Sequence, residues 1–90
     1  MTLTLIRETP ADLGAIEALV RKSLPPAAQG AAMEADTPLS RLGLTSIASV
    51  SLMLAVEGHF GVAIPDAELK PENFRTIGAI AALVSRLQGV

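Results

Sequence analysis

The chain has 90 residues, a net charge of −2 and no cysteine, which fits one small domain and excludes several kinds of site. Disulfides, thiolate metal sites and a protein thiol nucleophile are ruled out, and a single histidine rules out a His-rich metal site. The charge gives no basic surface for nucleic acid, and no apolar run is long enough to cross a membrane. We therefore expect a cytoplasmic monomer with neither a nucleic acid nor a membrane as its partner.

The composition favours an all-α fold with an aliphatic core. Half of the residues are hydrophobic and only 2 % are aromatic, so Phe60 and Phe74 are the only rings available to that core. Ala and Leu, which supply much of the apolar content, are strong helix formers. We expect residues 1–90 to form a single domain, with residues 1–8 as an extended or disordered arm.

The first predicted helix starts at Thr9-Pro10-Ala11-Asp12. Thr9 is expected to cap the free amides, Pro10 suits the first helical position, and Asp12 favours the positive helix end. Pro25-Pro26 should end the helix. Apolar residues follow the start at helical spacing and predict its buried side: Leu13, Ile16, Leu19, Val20 and Leu24.

A long loop, residues 25–44, separates this helix from the second, which is predicted from Thr45 or Ser46 to His59 with Gly61 at its end. A brief third helix is expected from Asp66 to Leu69. Thr76 should cap the last helix. The expected core of the second helix is Ile47, Val50, Met53, Leu54, Val56 and Phe60, and that of the last is Ile77, Ile80, Leu83, Val84 and Leu87.

The segment 42–47 ends the long loop and opens the second helix, which places the Ser46 hydroxyl at a helix N-terminus. Free amides and the helix dipole make such a place favourable for a phosphate. Gly43 would let the chain turn sharply and leave room for a bulky attachment. The alternative interpretation is that Ser46 only caps its helix, a role for which Thr45 also competes.

Three segments in order resemble the acyl carrier protein family. Leu42-Gly43-Leu44-Thr45-Ser46-Ile47 is similar to the family's Leu-Gly-x-x-Ser-Leu segment. Residues 57–66 look like its Glu-x-x-Phe-Gly-x-x-Ile-Pro-Asp stretch, and residues 74–80 resemble the Phe-x-Thr-Ile start of its last helix. The resemblance covers residues 9–88 and implies a four-helix acyl-carrier-like bundle with three longer helices, a short third helix and a long loop between helices 1 and 2.

The resemblance also implies the chemistry. A phosphopantetheinyl transferase would attach 4′-phosphopantetheine from coenzyme A to Ser46, and the thiol of that arm would hold an acyl or aminoacyl group as a thioester. A ligase or acyltransferase would load the cargo, downstream enzymes would receive it, and the chain itself would not be an enzyme. The alternative is an unmodified helical protein-interaction module that has the same fold.

Two departures concern the cargo and the docking surface. Thr45 stands where many acyl carrier proteins have Asp, and the start of the second helix lacks their acidic residues. The neutral run 44–54 also looks like stand-alone aminoacyl carrier proteins, which separate ligases load. Docking should then rest on shape and apolar contact rather than on electrostatic steering, through Leu44, Thr45, Ile47, Ala48 and Ser51.

The remaining candidates have ordinary structural explanations. Glu57, Asp66 and Glu68 are expected to be solvated or capping groups rather than a metal site, and His59 a surface residue at a helix end. Arg41 is expected to be a solvated surface charge, with a phosphate or a partner enzyme as the alternative contact.

Overall fold

The computed structural model describes residues 12–89, and these contain three α-helices and no strand. The predicted all-α fold is therefore confirmed. The helices are α1 (Leu13–Ser23), α2 (Ser46–Phe60) and α3 (Ile77–Leu87). Short 3₁₀ turns lie between them at Pro26–Ala28, Leu39–Leu42, Asp66–Glu68 and Pro71–Phe74.

Helix α1 begins later than the sequence predicts. Asp12 is its N-cap, in an extended conformation, and the Asp12 carboxylate accepts a hydrogen bond from the Gly14 amide at 3.0 Å. A carboxylate at this position satisfies a free amide and complements the helix dipole, so it takes the capping role assigned to Thr9. Thr9, Pro10 and the expected arm at residues 1–8 lie outside the described residues.

The core lies where the three helices meet. Helix α2 contributes Leu52, Val56 and Phe60, which are all fully buried at a spacing of four residues. The prediction that Ile47, Val50 and Leu54 belong to the core is wrong, because all three are exposed. The other buried residues are Ile16, Val20, Leu24, Leu39, Ile64, Ile77, Ile80, Leu83 and Val84.

The predicted short third helix is a 3₁₀ turn of three residues, Asp66–Glu68, rather than an α-helix. A second turn starts at Pro71, after Lys70 has adopted an extended conformation. Proline has no amide hydrogen to donate, so a helix that started at Asp66 would lack a hydrogen bond at its sixth residue, Pro71. The segment between α2 and α3 is therefore a pair of turns.

The long loop between α1 and α2 is anchored at several points. One nitrogen of the Arg21 guanidinium donates to the carbonyl oxygens of Gln29 and Ala31, at 2.6 and 2.9 Å, while the rest of the group bonds the carboxylate of Glu17. Farther on, the Ala35 carbonyl accepts from the Gly78 amide at 2.9 Å. The loop is thus fastened to α1 and to the start of α3.

Gly78 is needed where the loop crosses α3. A Cβ at this position would lie 2.9 Å from the Ala35 carbonyl oxygen, closer than real Cβ contacts come. We expect Gly78→Ala to lower the free energy of unfolding by about 1–3 kcal/mol. Gly58→Ala is the matched control: a Cβ in α2 at Gly58 meets nothing within 4 Å, so this change should add about 0.5–1 kcal/mol. Urea unfolding measures the change in the free energy of unfolding for both variants. Changes of the same sign in Gly78→Ala and Gly58→Ala would contradict this prediction.

Candidate functional site: a helix-start serine beside an apolar groove

Ser46 is the first residue of α2, and its hydroxyl takes no part in capping that helix. The cap is Thr45, whose Oγ1 accepts a hydrogen bond from the Ala48 amide at 3.1 Å. The Ser46 side chain is exposed and makes no hydrogen bond to the described part of the chain. The interpretation that Ser46 only caps the helix is therefore wrong, and its hydroxyl is available for reaction.

The start of α2 leaves two amides for an anion. Thr45 satisfies the third and fourth amides, because its side chain accepts from Ala48 and its carbonyl accepts from Ser49 at 2.9 Å. The amides of Ser46 and Ile47 are the first two of the helix and have no acceptor within residues 12–89. Together with the helix dipole, they would stabilise a phosphate on the neighbouring hydroxyl.

Gly43 shapes the approach to the serine. It ends the Leu39–Leu42 turn in the left-handed conformation, with φ of 97°, which favours glycine. The sharp turn predicted here is confirmed. A Cβ at Gly43 would lie 3.1 Å from Pro25 Cγ, so the missing side chain serves close packing on the loop, while the expected room for an attachment stays a prediction. Gly43 lets the chain turn and pack on the loop.

A groove of about 380 Å³ opens beside Ser46. One wall is α2 with the turn before it, and the other is formed by the pair of turns before α3. Most of the surface is apolar, and Arg75 is the charged residue among those that line it. The lining residues are Ser40, Leu44, Ser46, Ser49, Val50, Met53, Leu69, Pro71, Phe74 and Arg75.

A polar network holds the second wall of the groove. Asn73 Nδ2 donates to the Glu68 carbonyl and carboxylate, at 2.8 and 3.0 Å, and Arg86 forms an ion pair with the same carboxylate at 3.2 Å. The Asn73 hydrogen bond, assisted by the charge and hydrogen bond of Arg86, lowers the pKa of Glu68 below its ordinary value of 4.5. Glu68 thus joins the turns to α3.

This lowered pKa predicts an acid-dependent loss of stability. A carboxyl group with a lower pKa in the folded state stabilises it above the unfolded-state pKa, and this contribution is lost as the pH falls through the folded-state pKa. We expect the free energy of unfolding to fall as the pH drops below about 4.5. In Glu68→Gln the free energy of unfolding should depend less steeply on pH. Urea titrations between neutral and acid pH measure the slope, and an unchanged slope in the variant would argue against the network.

The residues predicted to dock partners fall into two groups. Leu44 is half-buried against the core and lines the groove, while Thr45 caps α2, so both have structural roles. Ile47 is 82 % exposed and Ser51 is also exposed, with Ala48 half-buried beside them. Sequence reasoning missed Val50 and Leu54 as surface residues, because their spacing suits a core stripe equally well.

Two acidic residues expected to be solvated or capping groups instead hold parts of the fold together. Glu57 accepts a hydrogen bond from the Ile64 amide at 2.7 Å, which fixes the link after α2, and Glu68 has the partners described above. His59 is exposed, with its ring edge-on to Phe60 at a centroid distance of 4.8 Å. Within residues 12–89, no group of three or more His, Cys, Asp or Glu is placed to hold a metal ion. No helix in that range is long and apolar enough to span a membrane.

Comparisons with known proteins agree with this geometry. The family described as "Phosphopantetheine attachment site" matches residues 15–84. Aminoacyl carrier protein 2 of Bradyrhizobium diazoefficiens is 36 % identical over 66 residues, 73 % of this chain and 74 % of that protein. Aminoacyl carrier protein 1 of the same organism is 44 % identical over 57 residues, 59 % of this chain and 63 % of that protein.

A solved structure extends the likeness to the fold. The crystal structure of the Bradyrhizobium japonicum glycine:[carrier protein] ligase complexed with glycylated carrier protein contains a chain that matches with a TM-score of 0.66 and 35 % identity. The match covers 79 % of this chain and 96 % of that one.

The chain therefore belongs to the phosphopantetheine-attachment family of carrier proteins. It is a carrier, not an enzyme, and it works through covalently bound 4′-phosphopantetheine. The described residues fit that group: an available hydroxyl, two amides able to donate hydrogen bonds to a phosphate, and an apolar groove beside them. The bound group supplies a thiol, which this cysteine-free chain lacks.

Proposed function

We propose that Ser46 is the attachment residue and that residues 1–90 act as one cytoplasmic, monomeric carrier domain. The observation that carries the assignment is the exposed Ser46 hydroxyl at the start of α2, which makes no hydrogen bond to residues 12–89 while Thr45 caps the helix. A phosphodiester formed there would lie beside the amides of Ser46 and Ile47.

Other serines are less suited to that role. Ser49 Oγ donates to the Thr45 carbonyl at 3.0 Å, and Ser23 Oγ donates to the Leu19 carbonyl at 3.4 Å. Ser51 is exposed, but it lies in the second turn of α2, where the helix already uses its amides. Ser46 therefore combines exposure, an uncommitted hydroxyl and a favourable electrostatic position.

The proposed cargo is an aminoacyl group held as a thioester. Both Bradyrhizobium relatives are named aminoacyl carrier proteins, and the similar carrier of known structure is glycylated. We propose that a separate carrier-protein ligase loads the cargo, as the complex with the glycine ligase suggests by likeness. A phosphopantetheinyl transferase would act first, and downstream enzymes would receive the cargo.

Intact mass spectrometry tests the attachment. The wild-type chain, co-expressed with a broad phosphopantetheinyl transferase, should gain the mass of one 4′-phosphopantetheine group. Fragmentation should place that mass on Ser46. Modification of Ser51 or Ser40 instead would contradict the assignment, and no mass gain with several transferases would support the unmodified interaction module.

A second experiment tests the cargo. The modified carrier is incubated either with ATP, glycine or other amino acids and the Bradyrhizobium ligase, or with malonyl-CoA and a malonyl transferase. We expect an aminoacyl mass that hydroxylamine removes, as it does for a thioester. Loading with malonate alone would contradict an aminoacyl cargo while leaving Ser46 as the attachment residue.

A further inference from the structure

The turn before α2 and the part of α2 up to Val56 carry charge of one sign, and Glu57 is the first acidic residue after them. The chain carries nine acidic residues, yet residues 37–56 contain none, and Arg41 is the single charged residue in that range. The far wall of the groove adds Arg75. A protein with an overall charge of −2 therefore presents a locally positive face around its helix-start serine.

Both arginines are available to an external partner. Arg41 and Arg75 are exposed, and neither forms an ion pair with another described residue. By contrast, Arg21 pairs with Glu17, and Arg86 pairs with Glu68. The cations that support the fold have carboxylate partners, while Arg41 and Arg75 have none within residues 12–89.

A backbone contact holds the two arginines beside the same site. The Leu39 amide donates to the Arg75 carbonyl at 2.8 Å, which ties the turn that carries Arg41 to residue 75. Ser40 in that turn and Arg75 both line the groove that Ser46 opens into. The segments that carry the two guanidinium groups are thus neighbours at one end of the groove.

An apolar stripe lies next to these cations on α2. Ile47, Val50 and Leu54 are 82 %, 52 % and 64 % exposed, and their spacing of three and four residues places them along one face of the helix. Three large apolar residues left in water on one helix face are typical of a surface that partners contact. The stripe and the two arginines flank Ser46.

We infer that this face, composed of Arg41, Arg75, Ile47, Val50 and Leu54, docks the loading ligase, and that the ligase presents an apolar patch edged by carboxylates. The inference rests on the proposed function and adds the sign of the partner's charge. Carboxylates opposite Arg41 and Arg75 would attract this face, while the acidic remainder of the chain would be repelled, so the serine would be steered towards the ligase.

The acidic residues near the groove do not cancel this pattern. Glu68 is engaged by Asn73 and Arg86. Asp66 and Glu72 are exposed on the turns of the second wall, but neither lines the groove. The charge that lines the groove is that of Arg75.

Association kinetics with the Bradyrhizobium japonicum glycine:[carrier protein] ligase test the inference. The modified carrier is used as wild type, Arg41→Glu, Arg75→Glu and the double variant. Lys22→Glu is the matched control, because Lys22 is an exposed cation on α1 without an ion pair in the described part of the chain. We expect each arginine variant to lower the association rate about threefold at low salt and the double variant about tenfold, with little change in dissociation.

High salt should lower the association rate of the wild-type carrier, because screening removes the electrostatic steering that the arginines provide. The association rate of the double variant Arg41→Gln and Arg75→Gln should not change with salt. Lys22→Glu should stay within about twofold of wild type. Arginine variants that match Lys22→Glu, or bind faster than wild type, would overturn the inference. So would a wild-type carrier that does not bind this ligase, although mass gain on Ser46 would then still support the attachment residue.

Discussion

Ser46→Ala is expected to abolish attachment of phosphopantetheine while leaving the free energy of unfolding within about 0.5 kcal/mol of wild type. The Ser46 side chain is exposed and makes no hydrogen bond to residues 12–89, so its removal costs the fold little. Intact mass after co-expression with a transferase measures attachment, and urea unfolding measures stability. Residual modification of Ser46→Ala would show that another residue accepts the group.

The neighbouring threonine provides the matched control. Thr45→Ala removes the acceptor of the Ala48 amide and should destabilise the domain by about 1 kcal/mol. It should still be modified at Ser46, because the nucleophilic hydroxyl remains. Thr45→Ser should recover most of the stability, since serine also caps helices. Loss of modification in Thr45→Ala under conditions where it stays folded would show that the cap and the attachment are not separate roles.

Leu52→Ala is expected to destabilise the domain by about 2–5 kcal/mol, whereas Leu54→Ala should change stability by less than about 0.5 kcal/mol. The two leucines lie two positions apart on α2, but Leu52 is fully buried in the core and Leu54 is 64 % exposed. A loss of this size is a large fraction of the total stability of a small domain. Urea unfolding at neutral pH measures both changes.

This pair also tests the orientation of α2. If Leu54→Ala were the more destabilising change, α2 would be rotated about its axis, with Ile47, Val50 and Leu54 buried in place of Leu52, Val56 and Phe60. Leu54→Met, which keeps volume and hydrophobicity, controls for a loss of surface contacts with other molecules.

Local signals predicted the starts of α2 and α3 well. Thr45 and Thr76 cap α2 and α3 through the amides three residues on, at 3.1 and 3.0 Å, as expected for a residue type that acts on its immediate neighbours. Gly61 ends α2 in the left-handed conformation, again as predicted. Such interactions depend on a few adjacent residues, which is why the sequence suffices to place them.

Long-range packing was less predictable. Helix α2 is apolar around much of its circumference, so two apolar stripes are equally suited to burial, and only packing into the shared core selects Leu52 over Leu54. The groove combines the turn before α2, α2 itself and the turns before α3. Because the second wall is a pair of turns rather than the expected helix, no periodic pattern identifies Leu69, Phe74 and Arg75 as neighbours of Ser46.

The anchors in the loop between α1 and α2 should affect how fast a protease cleaves it. Cleavage requires several consecutive residues to leave the surface and extend into an active site. Between α1 and α2, the anchors at Ala31, Ala35 and Leu39 recur every four residues. A protease would have to break several of these contacts at once, so the loop should be cut more slowly than an unanchored loop of the same length.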